Sequence, residues 1–137
     1  MDDCIFCKII KGEISCSKVY EDSNVLAFLD ISPIAKGHTL VIPKKHFVNV
    51  FDSNQEEWNF VMEAVRKVSE AVKKAINCDG INIMSSNNEA AGQVVMHAHI
   101  HIIPRFKDDG LKLWPQGKYE EGEMDKVKEK IEAFLKE

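Results

Sequence analysis

The stretch Met96-His97-Ala98-His99-Ile100-His101-Ile102-Ile103-Pro104 decides how this chain is read. Side chains alternate across a strand, so His97, His99 and His101 fall on one face and Ala98, Ile100 and Ile102 on the other. The apolar face can pack on a helix, whereas the imidazole face has to meet something polar. The spacing predicts a strand from Val94 to Ile103. A solvated edge strand that merely carries histidines is the bland alternative. Three of the chain's five histidines in strict alternation weigh against it.

Two chemistries suit such a ladder. In one it binds a catalytic zinc, with Zn–N near 2.0–2.1 Å. At a rise of about 3.3 Å per residue, however, His97 and His101 start roughly 13 Å apart, too far for all three rings to close on one ion. In the other, His99 is a nucleophile tuned by its neighbours. Imidazole is largely neutral near pH 7 and forms a phosphoramidate that water can later cleave. A backbone carbonyl accepting from one ring nitrogen would leave the other free to attack. The second reading accounts for the ladder without forcing distant groups together.

Outward from the ladder, Thr39 to Ile42 reads as a strand closed by Pro43. Ser17 to Tyr20 and Val25 to Leu29 read as a pair joined by the turn Glu21-Asp22-Ser23-Asn24. The clearest helix runs from about Asn54 to Ile76, with Ser53 and Glu56 as a capping box. Val61, Val65, Val68, Val72 and Ile76 form its apolar stripe, and Asn77 and Gly80 mark its end. Ile81 to Met84 reads as a further strand. A short helix is expected from Cys4 to Lys11, ended by Gly12, and a last one from Met124 to Leu135. Strands grouped around one long helix, with little βαβ alternation, predict an α+β fold with a mostly antiparallel five-stranded sheet.

The 137 residues suit one domain, and 45% hydrophobic and 29% charged residues are ordinary globular values. A net charge of −4 argues against a broad grip on nucleic acid and leaves a small anionic ligand open. The start Met1-Asp2-Asp3-Cys4 is acidic where a secretory signal is basic, and no apolar run approaches the roughly 20 residues that span a membrane. A cytoplasmic location is expected, with the four cysteines as reduced thiols or metal ligands. Cys4-Ile5-Phe6-Cys7 is half of a tetrahedral zinc site, or else a pair of buried thiols. A thioredoxin-type role fits poorly, because no strand feeds the motif. Cys16 and Cys78 lack partners at ligand spacing.

The segment His97-Ala98-His99-Ile100-His101-Ile102-Ile103 resembles the signature of the histidine-triad family, His-φ-His-φ-His-φ-φ with φ apolar. Cys4-Ile5-Phe6-Cys7-Lys8-Ile9-Ile10, Phe28-Leu29-Asp30-Ile31-Ser32-Pro33, the run from Gly37 to His46, and Ala91-Gly92-Gln93 agree in order. The chain is most similar to Hint-like bacterial members. The resemblance implies a single domain over 1–137, with a core at 4–105 and a C-terminal extension at 106–137. It also implies a homodimer whose sheets join, and a nucleotide pocket in each subunit.

Known members hydrolyse nucleoside phosphoramidates or acyl-nucleotides, or, in the Fhit branch, dinucleoside polyphosphates. A regulatory nucleotide-binding scaffold without significant turnover is a further alternative. On the family pattern, His99 is the nucleophile, His101 contacts the phosphate or leaving group, and His38 helps order the triad. Asp30 falls where the ribose hydroxyls are held, and Ile5, Phe6, Ile9, Phe28 and Ile31 where the base sits. Asn87, Gly92, Gln93 and Val94 fall on the loop beside the phosphate. Val94 stands where animal Hint proteins have a serine, so only its amide could serve. Related members with the same cysteine pair complete a zinc site with residues matching His46 and His97. The implied zinc has four protein ligands, Cys4, Cys7, His46 and His97, and is structural; no Mg²⁺ is required. The implied ligands are AMP- or GMP-type nucleoside phosphates, with neither nucleic acid nor membrane as a partner. The last helix has no counterpart in the animal Hint proteins.

Overall fold

The computed structural model describes residues 3–136; Met1 and Asp2, part of the acidic start, lie outside them. Among the described residues the chain forms α1 (Ile5–Ile10), β1 (Lys18–Glu21), β2 (Val25–Leu29), β3 (Thr39–Pro43), α2 (Gln55–Ile76), β4 (Gly80–Met84), β5 (Ile100–Arg105) and α3 (Glu123–Leu135). The sheet has the order β1-β2-β3-β5-β4, and every neighbouring pair is antiparallel. This is the predicted α+β architecture.

The sheet is covered on both sides. Val61, Ala64, Val65 and Val68 of α2 pack on Val25, Ala27, Val41, Ile100 and Ile102. On the opposite face Phe6 of α1 packs with Leu26, Phe28, Leu40 and Ile42. A strand buried on both faces reads as a continuous apolar run, which is why β2 and β3 do not alternate.

Two local expectations are corrected. The cap of α2 is Asn54, whose side chain accepts from the Glu57 amide at 2.9 Å, one residue beyond the predicted Ser53–Glu56 box. Ser53 instead donates to the Val50 carbonyl and accepts from the Trp58 indole, so its hydroxyl is spent on the preceding loop. The second correction concerns the ladder. β5 begins at Ile100, and of the three histidines His101 alone lies in it. The Ala98 amide donates to the Phe47 carbonyl at 2.8 Å, and the His97 ring bonds the Pro43 carbonyl. Both draw the chain to the end of β3 and the segment that follows it, and away from β4. The far end of α2 follows expectation, with Asn77 at a left-handed φ of 57°. α3 buries none of its residues.

Candidate active site

His99 stands at the floor of a cleft of about 460 Å³ between α1, β2 and the loop before the triad. Its Nδ1 lies 2.7 Å from the His97 carbonyl. A carbonyl can only accept, so Nδ1 carries the proton and Nε2 keeps its lone pair. Phe6 meets the ring edge-on at 5.2 Å between centroids. Burial lowers the pKa of His99, against the opposing pull of the His97 carbonyl and the Asp30 charge. The ring is therefore held neutral in one tautomer.

Behind it runs a short relay. The Ile34 amide donates to His38 Nδ1 at 3.1 Å. His38 must then carry its proton on Nε2, which lies 2.9 Å from His101 Nδ1. His101 thus accepts at Nδ1 and holds its own proton on Nε2, on a ring that lines the cleft. Burial, followed by the neighbouring His99 and His38, lowers the pKa of His101 to about 4. His38 is itself 2% exposed and lowered by burial. Asp30, His38 and His101 also present donor atoms close enough to hold a metal. The Ile34 amide argues against that use, because a proton on His38 Nε2 occupies the position a metal would need.

The cleft walls are mostly apolar. Ile5, Phe6, Ile9, Phe28 and Ile31 all line it, with Asp30 on the same wall. Asp30 Oδ1 accepts from the Ser32 amide at 2.8 Å, and Oδ2 lies 3.7 Å from His38 Nε2. Ile31 and Val94, 97% and 87% exposed, flank the mouth. A flat heterocycle suits such a slot, with polar groups gathered at the histidine end. A second cleft of about 280 Å³, between α2 and β1–β2, carries no imidazole, thiol or carboxylate and offers no comparable chemistry.

The loop beside the histidines is only partly arranged as expected. Gly92, at φ 97°, and Val94 line the cleft, whereas Asn87 and Gln93 are not among its lining residues. Asn87 Oδ1 accepts from the Val50 amide at 2.9 Å. The amides of Gly92 and Gln93 donate to the Glu89 and Asn88 carbonyls at 2.9 and 3.2 Å. Among the described residues the Val94 and Val95 amides, both on residues that line the cleft, donate to no protein acceptor, so this loop offers them to a ligand, Val94 being the more exposed residue.

A second cluster lies next to the triad. Cys4 Sγ is 3.3 Å from His97 Nδ1, Cys7 Sγ is 3.3 Å from His46 Nδ1, and the two Nδ1 atoms are 3.1 Å apart. In a tetrahedral zinc site with Zn–S near 2.3 Å and Zn–N near 2.0–2.1 Å, neighbouring donors lie roughly 3.3–3.8 Å apart. The observed spacing is close to that. His97 Nε2 donates to the Pro43 carbonyl at 2.8 Å, which leaves Nδ1 unprotonated and aimed at the cluster. These four residues can therefore hold a metal ion. His97 joins the two sites, its ring in the cluster and its carbonyl on His99.

Sequence reasoning missed two groups: the Ile34 amide that sets the tautomer of His38, and a buried amide cluster around Asn49. Neither has a motif, because each depends on segments brought together by folding.

The HIT domain family model matches residues 11–108. Protein hit of Bacillus subtilis is 52% identical over 111 residues, covering 80% of this chain and 77% of that protein. The adenosine 5′-monophosphoramidase hnt1 of Schizosaccharomyces pombe is 40% identical over 135 residues, covering 97% and 98%. The crystal structure of SMU.412c from Streptococcus mutans UA159 superposes with a TM-score of 0.92 at 44% identity, covering 98% of this chain and 87% of that one. A Zn-bound histidine triad family protein from Mycobacterium smegmatis superposes with a TM-score of 0.78 at 32% identity, covering 96% and 97%. An antiparallel sheet that presents His99 and His101 in a cleft, with the His97 carbonyl bonded behind His99, is the architecture of a histidine-triad protein. The chain belongs to the HIT domain family.

Proposed function

We propose that this protein hydrolyses nucleoside 5′-phosphoramidates, or related mixed phosphates of a purine nucleoside, through a nucleotidyl-His99 intermediate. The observation that carries the reading is the His99 ring, locked by the His97 carbonyl with Nε2 unprotonated in the cleft. Nε2 attacks the α-phosphorus as the phosphorus–nitrogen bond of the substrate breaks. The leaving amine takes the Nε2 proton of His101, which His38 holds in the donating tautomer. Water then attacks phosphorus and returns a proton to His101 Nε2, the bond to His99 breaks, and nucleoside monophosphate departs. The Val94 amide stabilises charge on the phosphoryl oxygens. The apolar slot takes the base, and Asp30 accepts from the ribose hydroxyls. The relative named adenosine 5′-monophosphoramidase supports this choice of substrate.

Cys4, Cys7, His46 and His97 would hold one structural zinc, their four donors leaving no position for water; the Zn-bound relative supports that metal. The ion would fix the geometry of His97 and take no part in the displacement. A homodimer is supported by β4, an edge strand in this chain with Ile83 48% exposed. Four cysteines, none of them in a disulfide, suit a reducing, cytoplasmic setting.

The test is His99→Ala assayed on adenosine 5′-phosphoramidate, with AMP binding measured alongside. Turnover should be lost while binding persists, and mass spectrometry after an acid-free quench should show an added nucleotidyl mass on the unaltered protein only. Near-normal turnover by His99→Ala would overturn the assignment.

A further inference from the structure

A buried amide cluster adjoins the cleft-lining residues Gly92 and Val94. Gln93 and Asn49 are 3% and 4% exposed. Gln93 Oε1 accepts from the Asn88 amide at 2.9 Å and from Asn49 Nδ2 at 3.1 Å. Gln93 Nε2 donates to the Val48 and Val95 carbonyls at 2.7 and 3.0 Å. Asn49 Nδ2 also donates to Asn88 Oδ1 at 2.8 Å, while Asn49 Oδ1 accepts from the Phe51 amide at 2.9 Å. Every hydrogen-bonding position of the Gln93 amide is filled from within the protein. Its side chain has none left for a ligand.

What the cluster grips is strained. Asn88 has φ 77° and ψ 160°, a region populated almost wholly by glycine. Two of the bonds just described hold it there, one through its amide and one through its side chain. From Asn88 the chain makes a single 3₁₀ turn, Glu89–Ala91, and reaches the cleft at Gly92 and Val94. The direction in which the Val94 amide emerges is therefore set from position 88.

We propose that Asn49 is a positioning residue for the phosphate site: with Gln93 it clamps Asn88 in this conformation and so aims the Val94 amide into the cleft. The proposal rests on the reading of Val94 as the phosphate donor. A cluster that only filled the interior would affect all ligands alike. The clamp acts on the phosphate end alone.

The experiment compares AMP with adenosine, which shares the base and ribose and lacks the phosphate. In Asn49→Ala, AMP affinity should fall about tenfold or more while adenosine affinity stays within twofold, with zinc content and melting monitored to establish folding. Adding Asn88→Gly removes the strain that the clamp opposes, so the double variant should recover part of the loss. Asn49→Ser, which keeps one donor, serves if the alanine variant does not fold, and should give a smaller loss of the same selectivity. Equal weakening of AMP and adenosine, or no change in either, overturns the clamp. If the unaltered protein itself binds AMP no better than adenosine, the phosphate reading fails and the clamp is judged by structure alone. A crystal structure of the variant in which Asn88 keeps its positive φ and Val94 its position then overturns the clamp, and a rearranged loop upholds it.

Discussion

Replacing His38 by asparagine isolates the relay from the nucleophile. An asparagine amide occupies the place of the ring's Nδ1, so it can still meet the Ile34 amide and cannot reach His101. Glutamine reproduces Nε2, so it can donate across the 2.9 Å now spanned between His38 and His101. In His38→Asn the half-buried His101 Nδ1 loses its donor, which costs about 1–3 kcal/mol. The proton on His101 is then no longer confined to Nε2. At about 1.4 kcal/mol per tenfold, that corresponds to a loss of roughly 5- to 150-fold wherever the leaving group must be protonated. The assay pairs adenosine 5′-phosphoramidate with an AMP ester of an acidic phenol, whose phenolate departs without a proton. His38→Asn should slow the amine substrate by this factor and the phenyl ester by about threefold or less, and His38→Gln should restore much of the difference. Equal losses on both substrates, or a glutamine variant as poor as asparagine, would refute the relay.

Three further outcomes follow from the same geometry. Cys7→Ser should reduce bound zinc, read by atomic emission, well below one per chain and lower the melting temperature by about 10 °C, as for a loss near 3 kcal/mol; full zinc occupancy would disprove the ligand set. Gly37→Ala should cost about 2–4 kcal/mol in denaturant unfolding, because Gly37 sits at φ 94° and an added Cβ would lie 2.7 Å from Ile76 Cγ1; a cost below about 1 kcal/mol would contradict that crowding. The third concerns pH: His101 titrates near 6.5 when unfolded and near 4 when folded, so between those values the unfolded chain binds more protons. Stability should fall as pH drops from 6.5 to 4, by about 2–3 kcal/mol through this group, and His101→Asn, compared by denaturant unfolding, should show a slope shallower by that amount.

The parts of the molecule that rest on hydrophobic period were legible in the sequence. Val61, Val65 and Val68 announced the buried stripe of α2, and the apolar runs of β2 and β3 announced strands, which the structure covers on both faces. The alternating histidines singled out, through an idealised geometry, residues that the structure gathers at one cleft and one cysteine cluster. They predicted three rings on one strand, and the structure uses one ring in β5 and two on an irregular approach to it. The difference lies in the bonds from Ala98 to Phe47 and from His97 to Pro43, which join segments about fifty residues apart. Local pattern carries no trace of such bonds. Asn87 and Gln93 illustrate the same limit, because their polar character was plain and the partners that absorb it lie on the segment from Val48 to Val50.

The acceptor behind His99 is a carbonyl without net charge. In serine hydrolases the corresponding acceptor is a carboxylate, which stabilises the protonated ring and makes the imidazole a stronger base. Strong basicity would be a handicap for a ring that must first bond to phosphorus and then be expelled by water. A neutral partner fixes the aim of the nucleophile while keeping it a good leaving group. The nucleotidyl enzyme should accordingly be short-lived, and the residue that attacks is also the one most readily displaced.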